Sequence, residues 1–333
     1  MTELSARKLL WIPYRQLPYG EVPDWVGESL RAAFPQLLVR MAWDGKTVLD
    51  EIADTEIVVS WVLQPEQFAR ARKLHWIHSP AAGVTHLLFP ALVESDVIVT
   101  NATTVHAVPV AEQAVALLFA LARRLRDCFE YQAERRWGQK ESWQPSRLPT
   151  ELNGKTLGLV GFGAIGREVA SRARALGMCI AAVKQDPSRG AESADRVYSP
   201  PQLPALLQEA DYLVVAAPDT PETRHLIGEA ELRRMKPTAS LINVSRGSLV
   251  DTEALVRALQ GGWISSAALD VTDPEPLPPE HPLWALPNVI ITPHLAGATD
   301  RLWPRQVELL QENLRRYLAG EPLLNRVDKK KGY

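Results

Sequence analysis

A few short stretches of this 333-residue chain carry residue types able to do chemistry together. In the first, the apolar run Thr156–Val160 enters Gly161-Phe162-Gly163-Ala164-Ile165-Gly166, and the helix-compatible REVASRARALG follows. Strand, glycine turn and helix in that order suit a dinucleotide pyrophosphate. Gly161 permits the tight turn, Gly163 lets the backbone approach phosphate, and Gly166 lets the helix pack on the strand. The helix start, at Ala164 and Ile165, offers N–H groups and the positive end of a dipole. Three later stretches, NVSRG, LDVTDPEP and PHLAG, supply Arg246, Asp270, Glu275 and His294. A guanidinium binds a planar carboxylate by a fork of donors. An imidazole beside a carboxylate exchanges protons, and the acid favours the charged ring.

The elements that position these groups follow from the alternation of short apolar runs with helix-compatible segments. Strands are expected at Leu9–Ile12, Leu37–Met41, Ile57–Ser60, His75–His78 and Val97–Thr100, with helices at Trp25–Phe34, Gly45–Ile52 and Pro65–Ala71. The alternation resumes after Thr156, with strands at Cys179–Val183, Tyr212–Ala216, Ser240–Val244, Ser266–Asp270 and Val289–Thr292 and a last helix at Gln306–Leu318. Such alternation implies α/β architecture with two doubly wound parallel sheets. One domain is expected to comprise residues 1–102 plus 294–333, and the glycine-motif domain residues 103–293. Arg246, Glu275 and His294 then lie on strand-end loops, where open α/β sheets bind ligands. The Pro80-Ala81-Ala82-Gly83 turn follows the fourth strand; on spacing alone it is an anion-binding turn or an ordinary one. Pro109 is expected in the first turn of a helix Val110–Leu125, apolar nearly all round and therefore buried in a core or between subunits.

Composition excludes some classes of function. The formal net charge is −2, with 23% charged and 46% hydrophobic residues, which gives no electrostatic basis for nucleic-acid or membrane binding. Cys128 and Cys179 form no disulfide framework or metal spacing, so no metal site and a reducing cytoplasm are expected. Residues 1–20 show no sustained apolar stretch of the signal-peptide kind, and the run Val115–Ala122 is too short to span a bilayer. The Lys329-Lys330-Lys331 tail reads as solvated.

GFGAIG, NVSRG, LDVTDPEPLP and PHLAG together resemble the signatures of the D-isomer-specific 2-hydroxyacid dehydrogenases. VPVAEQAVALLFAL, ELNGKTLGLVG, PDTPETRHLIG and ENLRRYLAGEPLLNRVD extend the resemblance over most of the chain from about residue 75. It implies a flavodoxin-like substrate domain into which a Rossmann domain is inserted, a homodimer, and hydride exchange between NAD(P)H and a small 2-oxo or 2-hydroxy acid. His294 is then the proton donor and acceptor, Glu275 its partner, and Arg246 the group that binds the substrate carboxylate and carbonyl. Ala82 and Gly83 become the backbone cradle for the carboxylate, with Arg246 and His294 completing the substrate contacts. The cofactor set comprises Gly161, Gly163, Ala164, Ile165, Gly166, Lys184, Pro218, Thr223, Val244, Ser245, Asp270 and Gly297, with Asp270 near the nicotinamide carboxamide.

One position departs from the NAD pattern. The acid that holds the adenosine ribose closes the second strand about 20 residues past the last glycine, and GMCIAAVKQDP places Lys184 there. Lysine accepts no hydrogen bond from ribose hydroxyls but pairs with a 2′-phosphate, so NADP(H) is favoured over NAD(H). Asp186, two residues on, is the route by which NAD would still be accepted. The alternative to an enzyme is a non-catalytic NAD(P)-sensing protein on the same fold.

Overall fold

The structure is a computed structural model that describes residues 7–13, 21–188, 190 and 193–333. Most of residues 1–20, on which the leader reading rested, lies outside them. In chain order the elements are β1 (Arg7–Ile12), α1 (Asp24–Ala33), β2 (Leu37–Met41), α2 (Gly45–Glu51), β3 (Ile57–Ser60), α3 (Pro65–Arg70), β4 (Trp76–His78), α4 (Pro90–Val93), β5 (Ile98–Thr100) and α5 (Thr103–Ala122). There follow α6 (Leu125–Ala133), α7 (Gln139–Ser142), β6 (Thr156–Val160), α8 (Ala164–Ala175), β7 (Cys179–Val183), β8 (Arg196–Tyr198), α9 (Leu203–Glu209) and β9 (Tyr212–Val215). Last come α10 (Glu229–Leu232), β10 (Ser240–Asn243), α11 (Thr252–Gln260), β11 (Ser266–Leu269), β12 (Val289–Ile291) and α12 (Leu302–Ala319).

The chain divides into two compact units, one of residues up to His106 and from Ala298 onward, the other Ala107–Gly297. The division falls a few residues later at each crossing than the expected 103 and 293. His294 thereby joins the second unit, because Asp270 of that unit holds its loop, as described below.

In the first unit five parallel strands lie in the order β2-β1-β3-β4-β5, the flavodoxin-like arrangement. Leu9, Trp11, Ile57, Val59 and Trp76 face one layer with Val26 and Leu30 of α1 and Val307, Leu310 and Leu314 of α12. Leu10, Val58 and Ile77 face the other. Both faces are covered, so these strands read as continuous apolar runs. The end of the chain is stitched to this sheet: Val327 N donates to Val99 O at 2.8 Å. Lys329 Nζ donates to the carbonyls of Leu92 and Val97, each at 2.9 Å. Lys329 is therefore tied down, against the solvated tail expected, because the carbonyls of the α4–β5 turn need donors.

The second unit has seven parallel strands in the order β12-β11-β10-β9-β6-β7-β8, with the strand order reversing between β6 and β9. Leu213, Val215, Leu241, Ala267 and Leu269 fill one layer, and Tyr212, Val214, Ile242 and Ala268 the other, as the two-residue period of a strand requires. Each fully buried leucine here contributes roughly 2 kcal/mol.

Helix α5 departs from its expected bounds at both ends. It begins at Thr103, with Pro109 inside it, because Asn101 Oδ1 accepts from Thr103 N at 3.2 Å and Val105 packs with Ala102 and Leu302. Tertiary contacts here outweigh the intrahelical bond that proline lacks. It ends at Ala122, where Arg124 turns left-handed at φ 54° and α6 starts anew. Glu112, Ala116 and Phe119 of α5 are exposed in the single chain. At 20 residues, α5 is long and apolar enough to cross a membrane by length and composition, unlike the shorter run expected. Val110, Ala111, Ala114, Leu117 and Leu118 are instead packed into the core of the second unit.

Candidate active site

All strands of the seven-stranded sheet run parallel, so the loops after β6, β7, β9, β10, β11 and β12 gather along one edge. Every candidate catalytic or cofactor residue named in this unit sits on one of those loops or on the helix start that follows.

After β6 the chain turns at Gly161 with φ 97°. A Cβ there would lie 2.6 Å from the Ala217 N, and one on Gly166 would lie 2.3 Å from the Gly161 carbonyl oxygen. These two glycines are demanded by the fold itself. Gly163 is different: its φ of −82° suits any residue, and a Cβ there would meet nothing within 4 Å. What excludes a side chain at Gly163 is therefore not the protein, which fits a turn that receives phosphate against its backbone. Gly163 also begins α8 without any side-chain cap for the first N–H groups of the helix, at Ala164, Ile165 and Gly166.

Lys184 directly follows β7 and is half-buried. Its Nζ lies 3.3 Å from where a Cβ on Gly190 would stand, and Arg167 Nη1 lies 3.8 Å from the same point. Two cations thus converge over Gly190. Asp186 Oδ1 accepts from Ser188 N at 3.0 Å and from Ser188 Oγ at 2.5 Å, so this carboxylate closes its own turn. Pro218 and Thr223 form a second loop, in which Thr223 Oγ1 donates to Pro218 O at 2.7 Å. Val244 is buried beneath the β10 loop and Gly297 closes the last one.

The β10 loop carries Arg246, half-buried, whose Nη1 donates to Ser245 O at 2.8 Å. Asn243, a residue that sequence reading passed over, organises this loop. Its Nδ2 donates to Arg246 O at 2.9 Å, and its Oδ1 accepts from Ser245 N and Ser245 Oγ at 3.1 and 2.9 Å. A Cβ on Gly247 would lie 2.0 Å from the Thr272 backbone. The arginine loop therefore abuts the loop that carries Glu275.

His294 and Glu275 are brought together. Nδ1 of His294 and Oε1 of Glu275 are 2.6 Å apart, with the side chains 38% and 40% exposed. Partial burial would raise the Glu275 carboxyl. The hydrogen bond and charge of His294, the Thr272 N–H and the charge of Arg246 outweigh it and hold the group below the usual carboxylate range. An ionised Glu275 accepts only, so Nδ1 carries the proton of this bond and Nε2 is left to exchange one. His294 is held at φ 50°, a conformation disfavoured for residues with a side chain.

Asp270, 1% exposed, is the reason that loop holds. Its Oδ1 accepts from Thr292 Oγ1 at 2.5 Å and Leu295 N at 3.1 Å, and its Oδ2 from Ala296 N at 2.9 Å. The resemblance pointed to Asp270 as a cofactor contact; the contacts of its carboxylate visible here lead to the His294 loop. Thr292 was passed over for want of a motif signal. Among the described residues no group of three or more His, Cys, Asp or Glu side chains is placed to hold a metal ion.

Ala82 and Gly83 lie in the first unit, half-buried in the loop after β4. The Pro80 carbonyl accepts from Gln306 Nε2 at 2.7 Å and lies 3.1 Å from His106 Nε2.

Residues 115–296 match the family model for the NAD-binding domain of D-isomer-specific 2-hydroxyacid dehydrogenases. A glyoxylate reductase of Korarchaeum cryptofilum is 39% identical over 280 residues, covering 83% of each chain. A D-isomer-specific 2-hydroxyacid dehydrogenase of Xanthobacter autotrophicus, solved with NADPH and MES, is 30% identical with TM-score 0.83, covering 99% of this chain and all of that one. An NADPH-dependent glyoxylate/hydroxypyruvate reductase of Sinorhizobium meliloti, solved with NADP and sulfate, is 26% identical with TM-score 0.81, covering 98% and 100%.

Proposed function

Since this chain belongs to the D-isomer-specific 2-hydroxyacid dehydrogenase family, we propose that it reduces a small 2-oxo acid such as glyoxylate or hydroxypyruvate, using NADPH in preference to NADH. The observation that carries the reading is the 2.6 Å contact between His294 Nδ1 and a Glu275 carboxylate held ionised. His294 gives a proton from Nε2 to the carbonyl oxygen, and Glu275 favours the charged ring from the other side. Arg246 binds the substrate carboxylate and carbonyl with its planar fork. The first unit acts as the substrate domain, and the Ala82 and Gly83 N–H groups take the carboxylate. A nucleotide-sensing protein without catalysis is the less favoured reading, since the similar proteins are named as reductases.

The nicotinamide cofactor supplies the hydride when bound. The Gly161–Gly166 turn with the start of α8 would hold its pyrophosphate, and the loops at Pro218, Thr223, Val244, Ser245 and Gly297 would line the rest of the site. Preference for NADPH is supported by Lys184, which stands where a ribose-binding acid is usual and has Arg167 beside it. It is further supported by the NADPH and NADP complexes of the similar structures.

A homodimer is supported by exposed apolar groups on and after α5: Phe119, Phe129, Trp137 and Trp143 are 38, 64, 88 and 70% exposed. A net charge of −2 supports the absence of nucleic-acid and membrane partners. The two exposed, unpaired cysteines Cys128 and Cys179 suit the cytoplasm.

The test is the loss of reduced-nicotinamide absorbance with glyoxylate and with hydroxypyruvate, NADPH and NADH being run in parallel. Oxidation favouring NADPH is expected, and Lys184→Ala should weaken NADPH about tenfold or more while leaving NADH nearly unchanged. Faster oxidation of NADH by the wild type would refute the NADPH preference. No turnover of either acid would refute the substrate class.

A further inference from the structure

Three successive carbonyls of the loop after β4 are tied down. Pro80 O accepts from Gln306 Nε2 at 2.7 Å, and Ala81 O accepts from Ala102 N at 2.8 Å. Ala82 O accepts from Asn101 Nδ2 at 3.0 Å and Thr103 Oγ1 at 3.2 Å. These peptides are trans, so each C=O and its N–H point to opposite sides. Tying the Ala81 and Ala82 carbonyls to residues 101–103 therefore turns the Ala82 and Gly83 N–H groups the other way. Among the described residues neither N–H donates a hydrogen bond. Two adjacent, unspent donors suit a carboxylate.

The residues that tie these peptides are themselves held. Asn101 is 7% exposed and its Oδ1 accepts from Thr103 N at 3.2 Å, while the Thr103 hydroxyl shares its single hydrogen between Ala82 O at 3.2 Å and Asn101 Oδ1 at 2.9 Å. Asn101 N donates to Asn325 O at 3.1 Å, and Asn325 Nδ2 donates to Asn101 O at 3.3 Å and to Thr104 Oγ1 at 2.8 Å. The chain end thus clamps the backbone of the residue that aims the turn.

We infer that Asn101 and Thr103 are positioning residues for substrate: by holding Ala82 O they aim the Gly83 N–H at the carboxylate of the 2-oxo acid. This rests on the reading of Ala82 and Gly83 as the carboxylate cradle. Neither residue touches the reacting atoms, so their effect falls on substrate binding, while hydride and proton transfer proceed once the acid is seated. Freed of both donors, the 82–83 peptide rotates and its N–H no longer presents one fixed geometry.

The experiment measures kcat and KM for glyoxylate, NADPH affinity and thermal midpoint in Thr103→Val, Thr103→Ser, Asn101→Leu and Gly83→Pro. Thr103→Val and Asn101→Leu should raise the glyoxylate KM about tenfold, with kcat within about threefold and NADPH affinity unchanged. Thr103→Ser, which keeps the hydroxyl, should recover most of the loss. Gly83→Pro removes the donor itself and should raise KM at least as much. If Gly83→Pro raises KM while Thr103→Val and Asn101→Leu do not, the positioning role is refuted and the cradle stands. If Gly83→Pro folds and also leaves KM unchanged, the cradle reading is refuted with it. Loss of kcat and NADPH affinity in proportion to KM, alongside a lowered thermal midpoint, would make Asn101 and Thr103 structural and overturn the inference.

Discussion

Asp270 holds His294 by its backbone and not by its ring. The His294 N–H donates to Asp270 O at 2.8 Å, and the Asp270 carboxylate takes the next two N–H groups, those of Leu295 and Ala296. The left-handed conformation of His294 is thus fastened from below by a buried acid. Asp270→Asn puts an amide donor against a backbone N–H or the Thr292 hydroxyl. It is expected to cost about 3 kcal/mol of stability and to lower kcat tenfold or more. Thermal unfolding and steady-state kinetics check this; an unchanged kcat would separate Asp270 from the histidine.

Glu275→Gln keeps the hydrogen-bond geometry and removes the charge. The Glu275 carboxyl is held below its ordinary value, so wild-type Glu275 is ionised across the neutral range. Without that charge the ionic part of the bond to His294 Nδ1 is lost. The reduction rate at neutral pH should fall about tenfold or more in the variant. A pH–rate profile that superimposes on that of the wild type would show that the pair has no part in the proton transfer.

Gly163 and Gly247 offer a contrast in what a methyl group meets. Gly163→Ala places its Cβ in open space, so stability should change by no more than about 1 kcal/mol while cofactor affinity falls at least tenfold. Gly247→Ala drives its Cβ into the Thr272 backbone and should destabilise by roughly 3 kcal/mol or more. Calorimetric titration with NADPH and thermal melts distinguish the two. Unchanged cofactor affinity in Gly163→Ala would remove this turn from the pyrophosphate site.

His78, fully buried at the end of β4, is pushed down to about 4 by desolvation. In the unfolded chain it titrates near 6.5. As pH falls below that value, the unfolded state takes up a proton that the folded state refuses. The stability conferred by neutral His78 is therefore complete above about pH 6.5 and is lost progressively down to about pH 4, amounting to roughly 3 kcal/mol. Denaturant unfolding at pH 7 and pH 4.5 should show a smaller difference for His78→Gln than for the wild type. An equal difference in both would place the acid sensitivity elsewhere.

How much of this was legible beforehand depended on how local each signal is. The strands facing core on both sides, such as Ile57–Ser60 and Cys179–Val183, are dense apolar runs and were placed correctly. The edge strand β8 has only Val197 and Tyr198 as apolar residues and escaped notice. Pro109 misled because proline favours a helix start when nothing else decides, whereas packing of Val105 and a bond from Asn101 decided here. Lys329 looked solvated because a run of lysines shows nothing of the carbonyls awaiting it across the fold.

The amino-acid sequence alone determined where the glycine turn and the residues proposed for the chemistry stand along the chain. Glycine spacing after an apolar strand, and Arg246, Glu275 and His294 at strand ends, are matters of residue type and order, which short-range sterics and hydrophobic period make readable. Only the tertiary structure decided which of these groups meet and what holds them. The 2.6 Å bond of His294 to Glu275, the ties of Asp270 to residues 292–296 and the three anchored carbonyls at 80–82 join segments far apart in sequence. Such bonds depend on strand order and loop path to within a fraction of an ångström, because a hydrogen bond fails beyond that tolerance. No local pattern carries that information.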